Sequence, residues 1–464
     1  MIKFHWPVLA VVALLGGCVN LAPQYQRPEA PVAGQWLPTT SAPVGTVAAD
    51  LQWQQFFTDQ RLSQLQSLAL ANNRDLRLAT LNIEKAQAEY RIQRAAAFPS
   101  LAASASGTHS RTPASLSSGV ATTSHEYSAQ LGLSSYELDL FGRVQNLQDE
   151  ALEAYLALTE TRRSTQISLV AEVATAWQTL AADNEHLQLA RQTLRSQQAT
   201  YELTRSSHAL GGSSGLALAQ AQTTVESARG DVAVYASQIL QDRNALRLLV
   251  GSDIPDALLP GDSLQSAAQL VQVPAELPSS LLQRRPDVLA AEHTLKSANI
   301  DIGAARAAFF PSISLTASAG SASAALSGLF KGGSGAWSFA PSVSLPLFDG
   351  GSNRATLDAA KVEREIQVQT YQQTLQSAFK EVADALAVRS TLDERLAAQQ
   401  ALTDASRKSF ELSDALYRGG SQSYLEALDA QRTFYSAQQD LITLRLAEQS
   451  NRVSLYKVLG GGWN

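Results

Sequence analysis

Glu426 and Asp429 lie three residues apart, a spacing that puts two carboxylates on one face of a helix. Repeated about a symmetry axis, such a pair would form rings of negative charge, a standard means of favouring cations in a pore. On a lone helix the same pair is a solvated face. Catalytic patterns are lacking. The six His residues, His5, His109, His125, His186, His208 and His293, are scattered without ligand spacing. No nucleophile elbow, Walker sequence or Gly-rich dinucleotide loop occurs, and the abundant Ser suits close packing and a polar lining. Cys18 is the one Cys among 464 residues, so an intrachain disulfide is impossible and a structural zinc site would lack its thiolates. Beyond residue 17 there is no Met and no His cluster, hence no metal-handling site. These residues point away from an enzyme and imply no cofactor.

The first residues give an address. Lys3 supplies a weak positive start, and Pro7 to Leu15 is an apolar run too short to span a bilayer, as in a signal peptide. Leu15-Gly16-Gly17-Cys18 resembles the lipobox of bacterial lipoproteins, where the Cys is acylated and becomes the mature N-terminus. An ordinary signal peptide that happens to hold a Cys is the alternative. Val19, rather than Asp, after the Cys resembles lipoproteins sent to the outer membrane of Gram-negative cells. Charged residues make up 17% and net charge is −6, which speaks against a nucleic-acid partner. No later stretch is apolar enough for a spanning helix, so a crossing of the bilayer would need a closed β-barrel.

The chain repeats itself. Asp75-Leu76 through Phe98-Pro99-Ser100 aligns with Asp287-Val288 through Phe310-Pro311-Ser312 at an offset of 212. Leu138-Asp139-Leu140-Phe141 matches Leu345-Pro346-Leu347-Phe348 at 207, and Gly211, Leu216 and Ala221-Gln222 match Gly420, Leu425 and Ala430-Gln431 at 209. The division expected is a signal peptide over 1–17, a lipid-anchored extended segment over 18–58, repeat one over 59–262 and repeat two over 263–464.

Each repeat reads as helix, strand, strand, long helix, turn, helix. A first helix is expected over about 60–97 and 280–309, stopped by Pro99 and Pro311. Strands follow from period-two alternation at 127–133, 312–317 and 337–345, with polar turns over 106–125 and 320–336. Neither Pro nor Gly occurs over 144–209 or 352–418, which implies helices roughly 100 Å long. Tyr371, Leu375, Phe379, Val382 and Leu386 make a seam for a neighbouring helix. Gly211-Gly212 and Gly419-Gly420 end these helices, and the chain doubles back over 216–250 and 425–459. Four strands cannot close around a pore, since even about eight leave an interior filled by side chains. Three chains would give twelve strands, an even number as bacterial barrels usually have.

Further sequences recur in one order along the whole chain. They are Pro23-Gln24-Tyr25-Gln26-Arg27-Pro28, Glu137-Leu138-Asp139-Leu140-Phe141-Gly142-Arg143, Arg285-Pro286-Asp287-Val288, Phe309-Phe310-Pro311-Ser312, Pro346-Leu347-Phe348-Asp349-Gly350-Gly351 and Tyr424-Leu425-Glu426-Ala427-Leu428-Asp429-Ala430-Gln431. With Cys18 they resemble the TolC-like outer-membrane efflux proteins, in particular the NodT-type lipoprotein branch that serves RND pumps. The resemblance implies a mainly α protein with a membrane β-barrel. It also implies a homotrimer whose twelve-stranded barrel continues into a long periplasmic α-helical barrel. The implied role is the exit duct of a tripartite pump for small molecules such as drugs or other toxic organic compounds. A periplasmic adaptor protein and an inner-membrane RND-type transporter would dock at the tip and open it. The same duct serving metal-ion efflux or type I protein secretion, and a lipid-anchored coiled-coil spacer, are the alternatives.

By the same resemblance the tip comprises the turns at Gly211, Gly212, Gly419 and Gly420, where adaptor and pump would dock. The aperture would be formed by Tyr417, Arg418, Leu425, Glu426 and Asp429, with Leu425 narrowing it and the acids lining it. One departure stands out. Family members often carry an Arg before the Tyr, where this chain has Leu416, and Arg418 points another way, which leaves an Arg–acid latch open. Gln220 stands in copy one where copy two has Asp429, so an acid ring would come from copy two alone.

Overall fold

The computed structural model describes residues 19–34, 36, 51–117, 119–261, 263–264, 270–271 and 279–462. Cys18 and the apolar leader therefore lie outside the described residues. Two compact units each collect equivalent parts of both repeats. The first draws on Met1–Glu29, Asn82–Thr159 and Ala290–Tyr371, the second on Ala30–Leu81, Glu160–Leu289 and Gln372–Asn464.

The first unit holds a four-stranded antiparallel sheet in the order β1-β2-β3-β4, with β1 at Leu101–Thr112, β2 at Thr122–Leu138, β3 at Ser312–Ser323 and β4 at Gly335–Ser344. Each repeat supplies one hairpin, and β2–β3 pairing joins the two repeats. The register sorts the side chains onto two unlike faces. On one, Leu131, Ala319 and Trp337 share a row, followed by Leu133, Ala317 and Phe339. The other carries serine pairs across the strands: Ser106–Ser128 at 2.9 Å, Ser110–Ser124 at 2.7 Å, and Ser314–Ser342 and Ser318–Ser338 at 2.8 Å. These pairs explain why the strands run further than the sequence suggests. Segments that read as polar turns continue as strand, to Thr112 and Ser323 on one side and from Thr122 on the other, because facing hydroxyls satisfy one another across the ladder. A bulge shifts the register between Leu133 and Tyr136, with Ser135 at φ 51. Edge strands β1 and β4 are exposed throughout.

The longer helices among the described residues are α1 (Gln60–Asn72), α2 (Arg74–Ala95), α3 (Arg143–Ala209), α4 (Gly215–Val250), α5 (Pro286–Ala307), α6 (Ser352–Arg418) and α7 (Tyr424–Val458). Helices α3 and α6 have 67 residues each, or roughly 100 Å. The single helix expected over about 60–97 is instead two. Asn73 is extended at φ −60, ψ 133, and its side chain accepts from Leu76 N at 2.9 Å while donating to Leu249 O at 2.8 Å. It restarts the helix as an N-cap. Among the described residues no helix is long and apolar enough to cross a membrane.

Within the first unit the extended N-terminal segment is strapped along α5. Arg27 makes a two-point contact with buried Glu292, 3.0 Å from Nε and 2.7 Å from Nη2. Tyr25 donates to the same carboxylate at 3.3 Å, and Lys296 lies 5.5 Å over the Tyr25 ring. Farther along, Asn299 donates to Pro23 O at 2.8 Å and Arg306 to Leu21 O at 2.9 Å. A side chain at Gly303 would meet Ala22 N at 2.7 Å, so only glycine admits the strap there.

In the second unit the core centres on Phe56 stacked on Tyr456 at 4.0 Å, with Phe57 at their edge. Trp177, fully buried, donates to Leu258 O at 2.9 Å. The α6 seam behaves as its spacing requires: Leu375, Val382 and Leu386 are buried, and Phe379 stacks on Trp36 at 5.4 Å.

Candidate functional site

The two helical hairpins turn by the same device at equivalent positions. Gly211 (φ 79) and Gly420 (φ 74) adopt the left-handed conformation. In the first turn Gly211 N donates to His208 O at 2.9 Å and Gly212 N to Ser207 O at 2.8 Å; in the second, Gly420 N donates to Tyr417 O at 3.0 Å and Ser421 N to Leu416 O at 2.9 Å. The bond reaching back five residues is that of a Schellman cap. Of the four tip glycines, Gly211 and Gly420 occupy the conformation that excludes other residues, whereas Gly212 and Gly419 do not.

Serine starts each returning helix. Ser214 accepts from Ala217 N at 3.1 Å. Ser423 accepts from Glu426 N at 3.4 Å, and Glu426 accepts in return from Ser423 N at 3.0 Å and Ser423 Oγ at 2.9 Å. This capping box exists in copy two only, because copy one has Ala217 at the third position. Bonds from the Ser423 hydroxyl and backbone hold the Glu426 carboxyl below its ordinary range. Asp429 is exposed one turn further along α7, and Leu425 is exposed as well.

Aromatic packing joins the hairpins. Ala221, Tyr424 and Leu428 form a small core against which Tyr201, Ala217 and Tyr417 pack. The Tyr417 hydroxyl lies 3.2 Å from Thr204 Oγ1, and its ring lies 5.5 Å from Tyr424. Further along, Thr224 donates to Gln197 at 2.8 Å and Tyr435 to Asp231 at 3.1 Å. Arg418 is engaged on its own helix, 2.9 Å from Asp414. Its ion pair thus stays within one helix, and Thr204–Tyr417 is a hydrogen bond that links the hairpins beside it. Leu203, Leu216, Leu425 and Tyr417 line a groove between the turns. Leu210 is 89% exposed and Leu216 69%, an apolar surface at the end of the first hairpin.

Two of these features had signals in the sequence. Ser423-Tyr-Leu-Glu426 is a capping-box pattern, and Asp414 and Arg418 are four apart on a helix. Thr204 carried no local signal, since its partner is 213 residues away. Among the described residues no group of three or more His, Cys, Asp or Glu could hold a metal ion.

Paired helical hairpins that meet at capped turns, and a sheet with one hydroxyl face, one apolar face and no partner at either edge among the described residues, are the parts of a channel subunit. The chain belongs to the outer membrane efflux protein family, which it matches over residues 65–252 and again over 277–461, once in each repeat. It is an outer membrane channel component of an efflux pump and not an enzyme. It is 50% identical over 463 residues to the antibiotic efflux pump outer membrane protein ArpC of Pseudomonas putida, covering 98% of this chain and 95% of the relative. The same identity and coverage hold for the toluene efflux pump outer membrane protein TtgC of Pseudomonas putida. Among solved structures, the open state of the MtrE outer membrane channel of Neisseria gonorrhoeae superimposes with a TM-score of 0.88 at 40% identity, covering 96% of this chain and 99% of that one.

Proposed function

We propose that three copies of this chain close into one duct that carries small organic toxicants out of the cell, and that the hairpin turns are its gate. The observation that supports it most is the sheet. Its edges β1 and β4 have no partner on their outer sides among the described residues, and open edges are not tolerated in lipid. Joining β4 of one copy to β1 of the next removes every edge, and three copies of four strands make a barrel of twelve. The apolar row with Trp337 and Phe339 then faces lipid, and the serine face lines the lumen.

The cargo reading draws on relatives named for antibiotic and toluene efflux. The partners are a periplasmic adaptor and an inner-membrane RND-type transporter, docking at the turns around Gly211, Gly212, Gly419 and Gly420. In the closed gate Leu425 narrows the aperture, Asp429 supplies an exposed acid ring, and Tyr417 ties the hairpins together through Thr204. Glu426 belongs to the same rim, though its carboxylate is committed to the Ser423 cap; Arg418 supports the rim from Asp414. Cys18 carries the lipid. Val19 N donates to Leu140 O at 3.2 Å, two residues past the end of β2, so a lipid on the preceding residue would leave the chain beside the strand ends. The division into leader 1–17, anchored segment 18–58 and repeats 59–262 and 263–464 completes the reading.

Planar-bilayer recording on the purified protein tests it. Discrete, cation-preferring currents are expected; a protein that inserts and conducts nothing is a spacer and not a duct.

A further inference from the structure

The β1–β2 register brings together two residues that the sequence keeps 16 apart. His109 pairs directly with His125, so both side chains stand on the same face of the sheet. Their Nδ1 atoms are 2.5 Å apart and their rings 4.7 Å apart, inclined at 69°. The next pair on that face contributes Tyr127, whose hydroxyl lies 3.3 Å from His109 Nε2. With Nε2–H donating to that hydroxyl, Nδ1 of His109 keeps its lone pair and aims it at His125. The two Nδ1 atoms therefore face one another closely enough to share one proton or, with a small opening, one metal ion. Accepting from Nε2–H, the Tyr127 hydroxyl would hold the tautomer that makes Nδ1 a ligand, the usual task of an outer partner of a metal-binding His.

We infer that His109 and His125 form a two-nitrogen site for one divalent late transition-metal ion, of the class of Zn2+, Ni2+ and Cu2+, with water or a lipid phosphate completing the shell. Imidazole nitrogens suit these ions rather than Mg2+ or Ca2+. At metal–nitrogen bonds of about 2.0 Å two ligand nitrogens sit roughly 3 Å apart, so the pair opens by about half an ångström on binding. Both rings are exposed, which leaves room for that motion and for entry of the ion. The pair lies three residues from Thr112↔Thr122, the last pair before the β1–β2 turn. A bound ion would therefore clip the free end of this hairpin. The face is the one that also carries Ala129 and Leu131, so in the closed barrel the ion sits on the outer wall, beyond the Tyr127 ring. That placement rests on the channel reading; binding of the ion does not.

The test uses the full chain in detergent, purified without a polyhistidine tag. Zn2+ is titrated by calorimetry, and the Cu2+ form is examined by electron paramagnetic resonance for nitrogen hyperfine structure. One ion per chain with two equivalent nitrogens is expected, with at least tenfold weaker binding in His109→Gln and in His125→Gln. Tyr127→Phe, which keeps both ligands, should weaken binding by a smaller factor and so separates positioning from ligation. Wild-type affinity retained in both His variants overturns the inference, as does a wild-type Cu2+ spectrum with one nitrogen or none. That spectrum needs no variant and decides the matter even if a substitution impairs folding.

Discussion

The proposed gate rests on single side chains, and each can be weighed alone. The Thr204–Tyr417 contact is one neutral hydrogen bond between hairpins, of the order of 1 kcal/mol. Tyr417→Phe and Thr204→Val should each raise the open probability of bilayer channels, by roughly fivefold per bond lost. Currents identical to wild type in both would remove the contact from the gate. Asp429→Asn should reduce cation over anion preference more than Glu426→Gln does, because Glu426 is tied to Ser423; reversal potentials in a salt gradient measure it, and equal effects would contradict the distinction. Ser423→Ala, by contrast, should lower stability by about 1 kcal/mol through loss of the cap, visible in the thermal midpoint. The sequence showed these acids but not their division of labour. Glu426 belongs to a pore-charge pattern with Asp429 and equally to a capping pattern with Ser423, and only the returning helix's start settles which bond the carboxylate makes. His109 and His125 were invisible for a related reason: their meeting depends on the register, which the Ser- and Thr-rich run between them conceals.

At the scale of elements, the helices were legible because Pro and Gly punctuate them. Pro99, Pro311, Gly211 and Gly420 mark stops that follow from missing donors and left-handed caps. Asn73 was missed, since an Asn inside a run of good helix formers reads as tolerated until its side chain is seen capping the next helix. Strand limits were short for the opposite reason: Ser and Thr favour turns in isolation but pair across this sheet. Two predictions belong here. Gly303→Val should displace the N-terminal strap from α5, because its side chain would overlap Ala22 and Asn146; faster proteolysis before Arg27 checks it, and unchanged cleavage would contradict the close contact. Burial pushes the Asp183 carboxyl on α3 up to about 7, and Asp242 on α4, hydrogen-bonded to it, adds to the rise. A group protonated in the folded unit but ionised when unfolded stabilises below its unfolded value, and that gain is lost as pH rises through the folded value. The thermal midpoint should therefore fall between about pH 4 and about pH 7 in wild type and fall less in Asp183→Asn. An equal decline in both would show that the pair does not titrate there.

The whole molecule follows from what one chain leaves unfinished. Two strand edges without partners among the described residues, an apolar face bearing Trp337 at 81% exposure, and a proposed aperture with acids from one repeat only describe a subunit rather than a finished channel. The tandem repeat explains the economy of the design, because each copy contributes one strand hairpin and one helical hairpin, as the proposed ring requires. The mass of the detergent-extracted protein, corrected for bound detergent and lipid, tests this most directly. Three chains per particle is the predicted result. A stable monomer would leave both edges of the sheet without a partner and would contradict the duct.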